Sequence, residues 1–159
     1  MSGMSKIVKT IANVAFPLTL IYGLYVIAHG HLTPGGGFQG GAIVASGCAM
    51  ILVAYGSIWT MGKIKEKKLS VLESVGAVSF IALALLGLGF GMQFFNNFLA
   101  GDVLFGVLPA FGSVAANINT GGVIPLMNFA VGLKVIAGLF GIVLVMAYAT
   151  TKTKGADKE

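Results

Sequence analysis

One lysine lies far inside the last long apolar run of the chain. Lys134 is about 12 residues into a predicted membrane-spanning helix over 123–150, which places it roughly 18 Å deep at about 1.5 Å per residue. That depth is close to the midplane of a hydrocarbon core about 30 Å thick, where a cation costs about 2.5–3.5 kcal/mol. Lys134 therefore needs water or a carboxylate beside it, and we interpret it as a candidate residue of an ion or proton pathway. The alternative is a structural lysine buried at a contact between subunits.

Glu73 is the other charged residue inside a predicted span. It lies about one turn from the start of a predicted helix over 70–95, so its depth differs from that of Lys134 by roughly 20 Å. A direct ion pair between them is not expected, and the partner of Lys134 is predicted to be water or an acidic residue of another subunit. Glu73 is a second candidate for the ion pathway. Alternatively, it is an interfacial carboxylate that interacts favourably with a helix dipole.

Two histidines follow the first apolar run. His29 and His31 are two residues apart at a helix end, so their side chains are predicted to point in different directions. The chain has no further histidine that could complete a bis-histidine haem site. Proton handling at a water-facing entrance is one interpretation and local capping is the other, and both histidines are kept as pathway candidates.

Other catalytic chemistry is not indicated. The lone Cys48 lies in an apolar run, can form no disulfide within the chain and cannot hold an iron–sulfur cluster alone, so it is interpreted as a small buried residue. No set of nucleophile, base and orienting group is apparent. We therefore predict neither a cofactor nor a bound metal, and no enzymatic activity for this chain by itself.

The composition indicates a membrane protein. Of the 159 residues, 57% are hydrophobic and 9% are charged, whereas soluble domains average about 25% charged residues. Mean hydropathy is +0.94, and the apolar residues form runs near the roughly 20 residues needed to cross a bilayer. The net charge of +5 comes from lysine clusters between these runs, without any arginine, which is typical of membrane topology and not of nucleic-acid binding.

These runs predict an all-α, polytopic membrane protein with about four transmembrane helices in a single domain over 1–159. The predicted helices cover about 11–28, 38–62, 70–95 and 123–150. The first run follows two lysines, as in a signal peptide, but its apolar length exceeds the roughly 7–15 residues that are usual there, so it is predicted to remain as a helix. The segment 98–120 is interrupted by glycine and proline and is predicted to be a loop with an interfacial or re-entrant stretch. Thr120 is the expected cap of the last helix.

The distribution of lysines supports four spans. With four spans, the lysines at 6 and 9, at 63–68 and at 152–158 fall on one side of the membrane, and the connections 29–37 and 96–121 contain none. Loops rich in lysine and arginine are retained on the cytoplasmic side. We therefore predict that both termini are cytoplasmic, in a multi-pass protein of the cell (plasma) membrane surrounded by the lipid bilayer.

Three of the predicted helices carry small residues at a spacing that suits helix packing. These residues are Gly37, Gly41 and Ala45 in the second helix, Gly87 and Gly91 in the third, and Gly138 and Gly141 in the fourth. Such stripes let another helix approach closely. We predict that they receive neighbouring subunits, while some are used for packing within the chain.

The turn between the first two helices has a distinctive sequence. It runs Gly30-His31-Leu32-Thr33-Pro34-Gly35-Gly36-Gly37-Phe38-Gln39-Gly40-Gly41. It resembles the motif Gly-His-x-x-Pro-Gly-Gly-Gly-Phe-x-x-Gly of the B subunit of Mrp-type (Mnh-type) multisubunit cation/proton antiporters. The same subunit type occurs in the antiporter-like module of archaeal membrane-bound hydrogenases and related respiratory complexes. Because size, helix layout and motif position also agree, the resemblance covers essentially the whole chain.

The resemblance implies an accessory membrane subunit of a sodium/proton-translocating complex. Its partners would be other membrane subunits, sodium ions and protons would be the transported ions, and any redox catalysis would lie in other chains. The antiporter version commonly has Asn-Ala in place of Leu32-Thr33 and a less charged sequence around Lys134, which favours a hydrogenase-type complex. The residues carried over from the motif are His31, Pro34, Gly35, Gly36, Gly37 and Phe38, and Gly41 is added for helix packing.

Three alternatives remain open at this point. The first is a subunit of a stand-alone Mrp-type antiporter. The second is a purely structural protein that seals and orients neighbouring subunits. The third is a small independent channel, for which ion flux through the purified chain alone is expected.

Overall fold

The computed structural model describes residues 4–107 and 119–156, and this described part is helical with connecting turns. The helices are α1 Lys6–Ala28, α2 Gly37–Tyr55, α3 Ser57–Lys63, α4 Glu66–Gly89 and α5 Ile124–Ala156. Four of them, α1, α2, α4 and α5, are long and apolar enough to cross a membrane. The prediction of an all-α protein with four membrane helices is therefore confirmed.

The predicted second helix is two helices. The chain breaks at Gly56, whose φ of 91° lies in the left-handed region that favours glycine. α3 follows this break as a separate helix of seven residues. Its Ser57 hydroxyl lies 2.9 Å from the hydroxyl of Thr151, so α3 is attached to the end of α5.

α4 is shifted toward the amino terminus relative to the prediction over 70–95. It begins at Glu66 and ends at Gly89, with Phe90 as its C-cap residue. The earlier start has a consequence for the charged residue in this helix. Glu73 lies two turns inside α4 and not one, because each turn takes about 3.6 residues.

The four long helices form an open row and not a closed bundle. α1 packs along α2, α2 along α5, and α5 along α4, so the last helix of the chain is inserted between the second and third spans. The outer helices are the less buried ones, with 17% of the apolar window buried in α1 and in α4 against 44% in α2. Large apolar side chains such as Ile81 and Ile142 are therefore exposed on the row. Apolar area of this extent is expected to contact lipid or other subunits.

The row has two chemically different ends. The lysine end holds the start of α1, the whole of α3, the start of α4 and the end of α5, with lysines at 6, 9, 63, 65, 67, 68 and 152. The turn end holds the turn 29–36 and the connection from α4 to α5. Among the lysines with described side chains, Lys134 alone lies at neither end.

Glycines let α2 pack closely on two sides. On one side, a Cβ at Gly41 would lie 2.8 Å from Val135 Cβ in α5. On the other side, a Cβ at Gly40 would lie 2.6 Å from the carbonyl oxygen of Gly23 in α1. The stripe predicted through Gly37 and Gly41 therefore receives a helix of the same chain, and a second stripe receives α1. Close backbone approach of this kind is what small residues permit in membrane helices.

The small residues of α4 and α5 are also used within the chain. Gly138 faces α4, where its neighbour is the carboxylate of Glu73. Gly87 lies against Gln93 and Asn96 in the turn after α4, and not against another helix. These glycines therefore serve intrachain packing, and the surface left open by the row consists mainly of larger apolar side chains.

The connection from α4 to α5 is described over 90–107 and 119–123. Residues 98–105 form consecutive turns. Residues 108–118 lie outside the described residues, so the interfacial or re-entrant stretch expected within 98–120 stays a prediction.

Asn97 caps the start of α5 from within this connection. Its Oδ1 accepts a hydrogen bond of 2.8 Å from the backbone N–H of Val123, and its Nδ2 donates to Gly121 O at 3.2 Å. Helix starts need such partners because their first N–H groups have no acceptor within the helix. The expectation that Thr120 caps this helix is wrong, because Thr120 lies four residues before the first residue of α5.

We expect Tyr55→Phe to lower the melting temperature of the detergent-solubilised chain by about 1–5 °C. The Tyr55 hydroxyl donates to Asn13 Oδ1 at 3.0 Å and accepts from Asn13 Nδ2 at 2.8 Å, which joins α1 to the end of α2. Such hydrogen bonds contribute about 0.5–1.5 kcal/mol to the free energy of unfolding. In a chain of this size the melting temperature falls by about 2–4 °C for each kcal/mol lost. Tyr22→Phe, at a ring that is 58% exposed on α1, is the control and should leave the melting temperature unchanged. Equal melting temperatures for Tyr55→Phe and Tyr22→Phe would contradict the prediction.

Candidate functional site

α4 and α5 approach most closely near the middle of α4. A Cβ at Gly76 would lie 2.8 Å from Ala130 O and 2.8 Å from Lys134 N, and 3.0 Å from Lys134 Cβ. Gly76 is ten residues after the first residue of α4, so it lies about 15 Å along a helix of about 36 Å. We call this contact the Gly76 crossing. It holds Lys134 at mid-height in the row, which is about the depth expected from the sequence.

Glu73 lies one turn from the Gly76 crossing. A Cβ at Gly138 would lie 3.3 Å from Glu73 Oε1 and 3.8 Å from Oε2, and Gly138 follows Lys134 by one helical turn. The predicted depth difference of roughly 20 Å is therefore wrong, because the helical rise between these positions is about 5 Å. The error arose because α4 begins earlier than predicted and α5 extends several turns beyond the start of α4.

The Cα–Cβ bonds of Glu73 and Lys134 tilt in opposite directions. α4 and α5 run antiparallel, since Gly76 lies beside Lys134 and the earlier Glu73 lies beside the later Gly138. Cα–Cβ bonds tilt toward the amino terminus of their own helix. The Cα–Cβ bond of Glu73 therefore tilts toward the lysine end, where its carboxylate meets Gly138, and that of Lys134 tilts toward the turn end.

A groove opens between α4 and α5 on the lysine side of the crossing. Its volume is about 390 Å³. Glu66, Ser70 and Glu73 line it from α4, at the spacing of three and four residues that places side chains on one helix face. The facing wall on α5 includes the small residues Gly138 and Gly141. A line of side-chain oxygens thus leads from the start of α4 toward the middle of the membrane helices.

The groove on the other side of the crossing is different. It has a volume of about 450 Å³ and is lined by four leucines, two alanines, Phe129 and a single hydroxyl residue, Ser79. The polar line therefore does not continue along this groove toward the turn end.

The seam between α4 and α5 is accessible from outside the chain. Lys134 is exposed and Glu73 is half-buried in the described structure. α4 is the end of the row, and α5 is the helix that packs along it in the described part of the chain. A mid-membrane ammonium needs a water-filled cavity or a polar partner. The covering group is therefore expected to come from outside this row of helices.

His29 and His31 lie at the turn end. The ring centroids of His29 and Tyr25 are 4.5 Å apart, while His31 packs against Gly121, where a Cβ would lie 3.0 Å from His31 Cδ2. The two histidines, both half-buried, thus have different neighbours, one on α1 and one before α5. The fold brings Glu73 close to Lys134 and leaves the histidines as a separate group.

Asn128 is a polar residue that the sequence analysis missed. A Cβ at Gly30 would lie 2.8 Å from Asn128 Nδ2, and a Cβ at Gly36 would lie 3.5 Å from its Oδ1, so the amide fills the space between the ends of the glycine-rich turn. Its Nδ2 is buried and has no acceptor within the described residues. Buried donors are rarely left unpaired. The available signal was a lone amide in an apolar helix, less than two turns before Lys134.

Polar side chains of α4 and α5 lie along the seam between the two helices. Within residues 4–107 and 119–156, no three His, Cys, Asp or Glu side chains are grouped so as to hold a metal ion. Carboxylate and hydroxyl oxygens are good ligands for hard cations. Two carboxylates, one hydroxyl and one ammonium along a membrane helix pair therefore form a polar strip in apolar surroundings.

One protein family matches most of the residues of this chain. The family of domains related to the MnhB subunit of the Na+/H+ antiporter matches residues 7–141. The match includes the glycine-rich turn, the Gly76 crossing and the polar strip. This chain belongs to the MnhB-related family. The resemblance inferred from the turn between α1 and α2 is thereby confirmed.

Relatives of this MnhB-related chain occur in archaea and bacteria. It is 37% identical to an uncharacterized protein of Methanocaldococcus jannaschii over 145 residues, which are 87% of this chain and 52% of that protein. It is 31% identical over 90 residues to a Staphylococcus haemolyticus protein named as an mnhB2 antiporter subunit, covering 55% of this chain and 62% of that protein. The chain thus spans about half to three-fifths of the length of these relatives.

A solved respiratory complex contains a chain of similar structure. This complex is the membrane-bound sulfane sulfur reductase, an archaeal respiratory membrane complex. The match has a TM-score of 0.69 and 29% sequence identity, and it covers 92% of this chain and 61% of that chain. The fold of the MnhB-related chain is therefore one that occurs inside a multisubunit membrane assembly.

Proposed function

We propose that this chain is an accessory membrane subunit of a complex that translocates sodium ions and protons. Membership of the MnhB-related family supports the antiporter-type assignment. The likeness to a chain of an archaeal respiratory complex supports an antiporter-like module attached to a membrane-bound hydrogenase or related redox enzyme, with catalysis in other chains. A stand-alone Mrp-type antiporter is the alternative, and the likeness to an mnhB2 antiporter subunit favours it.

The observation that carries the proposal is the polar strip at the α4–α5 seam. Glu66, Ser70 and Glu73 line a groove that ends beside the Gly76 crossing, and Lys134 lies at that crossing, one turn from Glu73. A bare charge near the middle of a membrane helix costs about 2.5–3.5 kcal/mol, and carboxylate oxygens offset this cost for a cation. The Lys134 ammonium repels a cation held by Glu73 and so promotes its onward release. A neighbouring subunit covers the seam and completes the path.

The lysine end faces the cytoplasm in this proposal, as loops rich in lysine do in other membrane proteins. Both termini are then cytoplasmic in a multi-pass protein of the plasma membrane, and the groove opens to the cytoplasm. His29, His31 and Asn128 lie at the opposite surface, where water or a neighbouring subunit supplies the acceptor for the Asn128 amide.

Replacing Lys134 by methionine tests the proposal. We expect the assembled complex carrying Lys134→Met to exchange sodium for protons several-fold more slowly in sealed vesicles, because the repulsion that releases the cation is lost. Each tenfold change in rate corresponds to about 1.4 kcal/mol of barrier. Lys68→Met, at an exposed lysine in the first turn of α4, is the matched control and should exchange normally.

A purely structural role is the second candidate, and the open row favours it. A row with two exposed apolar faces is well suited to sealing and orienting neighbouring subunits. In that case, complexes with Lys134→Met assemble normally and exchange ions at the unaltered rate. That result would remove the conduction role while leaving family membership intact.

A further inference from the structure

A separate cavity lies at the lysine end, on the α1 side of the row. It has a volume of about 310 Å³ and shares no residue with the α4–α5 groove. Its apolar walls are formed by Phe16 of α1, Cys48 and Ile51 of α2, Trp59 of α3, Ile64, and Phe140 of α5. The ion path proposed above makes no use of this cavity.

Two lysines give the mouth of this cavity a positive charge. Lys63 lines it at the end of α3. Lys9 Nζ lies 5.4 Å from the ring centroid of Tyr55, and Tyr55 lines the cavity as well. The described lining contains no acidic residue. The two cations therefore have no counter-charge in the cavity itself.

The aromatic residues at the mouth are those of a membrane interface. Tyr55 and Trp59 are stacked with ring centroids 4.5 Å apart, and Trp59 is 45% exposed. Tyrosine and tryptophan favour the headgroup level of a bilayer. From this level the cavity extends inward past Cys48, which precedes Tyr55 by about 10 Å of helix rise.

We propose that this cavity binds one hydrocarbon chain of an anionic membrane lipid, with the headgroup phosphate held between Lys9 and Lys63. An apolar interior about 10 Å deep accommodates part of such a chain. Two lysines at headgroup level, with no acidic residue in the described lining, match a phosphate, because lysines near a membrane surface attract anionic lipids. A purely apolar partner helix would bring no counter-charge to either lysine. The break at Gly56 shapes the site, since it turns α3 so that Trp59 and Lys63 line the cavity.

The chain has a built-in probe of this site, because Trp59 is its single tryptophan. The full chain, reconstituted in phosphatidylcholine vesicles, is titrated with phosphatidylglycerol brominated on one acyl chain or with phosphatidylcholine brominated in the same way. We expect the brominated phosphatidylglycerol to quench Trp59 fluorescence at a several-fold lower mole fraction. Lys9→Gln and Lys63→Gln should each weaken this preference roughly fivefold. Lys68→Gln, whose lysine does not line the cavity, is the control and should retain it.

Two results would overturn the lipid site. One is equal quenching by the two brominated lipids, or a preference that survives removal of both Lys9 and Lys63. The other concerns the assembled complex, where Cys48, the single cysteine of the chain, reports on the same cavity. A phosphatidylglycerol with a maleimide on its acyl chain should alkylate Cys48 both in the isolated chain and in the complex. Alkylation of the isolated chain alone would mean that a neighbouring subunit occupies the cavity.

Discussion

Gly37→Ala is expected to force α2 away from α5 and to lower the melting temperature of the chain by several degrees. A Cβ at Gly37 would overlap the carbonyl oxygen of Asn128 and would lie 2.9 Å from Val131 Cβ. Neither atom can move without a shift of the α5 backbone, because the first is a backbone oxygen and the second is bonded directly to a backbone Cα. Overpacking of this kind costs about 1–3 kcal/mol, and the melting temperature falls by about 2–4 °C per kcal/mol in a chain of this size.

The matched control for Gly37→Ala is Gly62→Ala in α3. A Cβ at Gly62 would have no neighbour within 4 Å, so the added methyl meets open space and improves helix propensity. Thermal unfolding in detergent and the amount of each variant recovered with its complex are the measurements. If Gly37→Ala melted like Gly62→Ala, then α2 and α5 could not approach as closely as the structure indicates.

Glu73→Gln is expected to slow sodium/proton exchange by the assembled complex at least about tenfold. The substitution keeps the shape of the side chain against Gly138 but removes the carboxylate charge that offsets the cost of a cation at mid-membrane depth. Loss of about 1.4 kcal/mol of stabilisation at the barrier corresponds to a tenfold lower rate. Assembly should be normal, because glutamine fits the same space.

Glu66→Gln is the control for this carboxylate. Glu66 lines the same groove but is exposed in the first turn of α4, where water already solvates a cation. Its replacement should change exchange far less than that of Glu73. Equal rates for Glu73→Gln and the unmodified complex, at normal assembly, would show that the ion path does not use this seam.

The polar strip itself shows what the sequence could not reveal. Lys134 is easily recognised as a charged residue within α5, and Glu73 as a charged residue within α4. The difference in depth between them, however, depends on the register in which the two helices pack. The predicted helix starts place Glu73 and Lys134 roughly 20 Å apart in depth, whereas the Gly76 crossing brings the two residues within one helical turn of each other. Gly76 and Gly138 define that register by permitting backbone contact, and no local pattern around either glycine specifies its partner.

The glycine-rich turn likewise has one property that the sequence predicts and others that only the tertiary structure shows. The residues from Gly30 to Gly41 were sufficient to predict the family, and the family is confirmed. They did not reveal that Gly37 and Gly41 contact α5 while Gly40 contacts α1, nor that the Asn128 amide fills the turn. Alternation of two stripes on one helix is visible in the sequence, but the identity of the helix on each side depends on topology.

By itself, the sequence determined the membrane class, the four spans, the family and the presence of charge at mid-membrane depth. These follow from run length, lysine distribution and a local motif, all of which act over short distances along the chain. Only the tertiary structure decided that α5 enters the row between α2 and α4, that Glu73 lies one turn from Lys134, and that Asn97 caps α5. Those facts depend on contacts between residues 26 to 94 positions apart, from the 26 between Asn97 and Val123 to the 94 between Gly41 and Val135. The packing of backbone against glycine selects such contacts, and hydrophobicity alone does not distinguish one apolar helix from another in lipid.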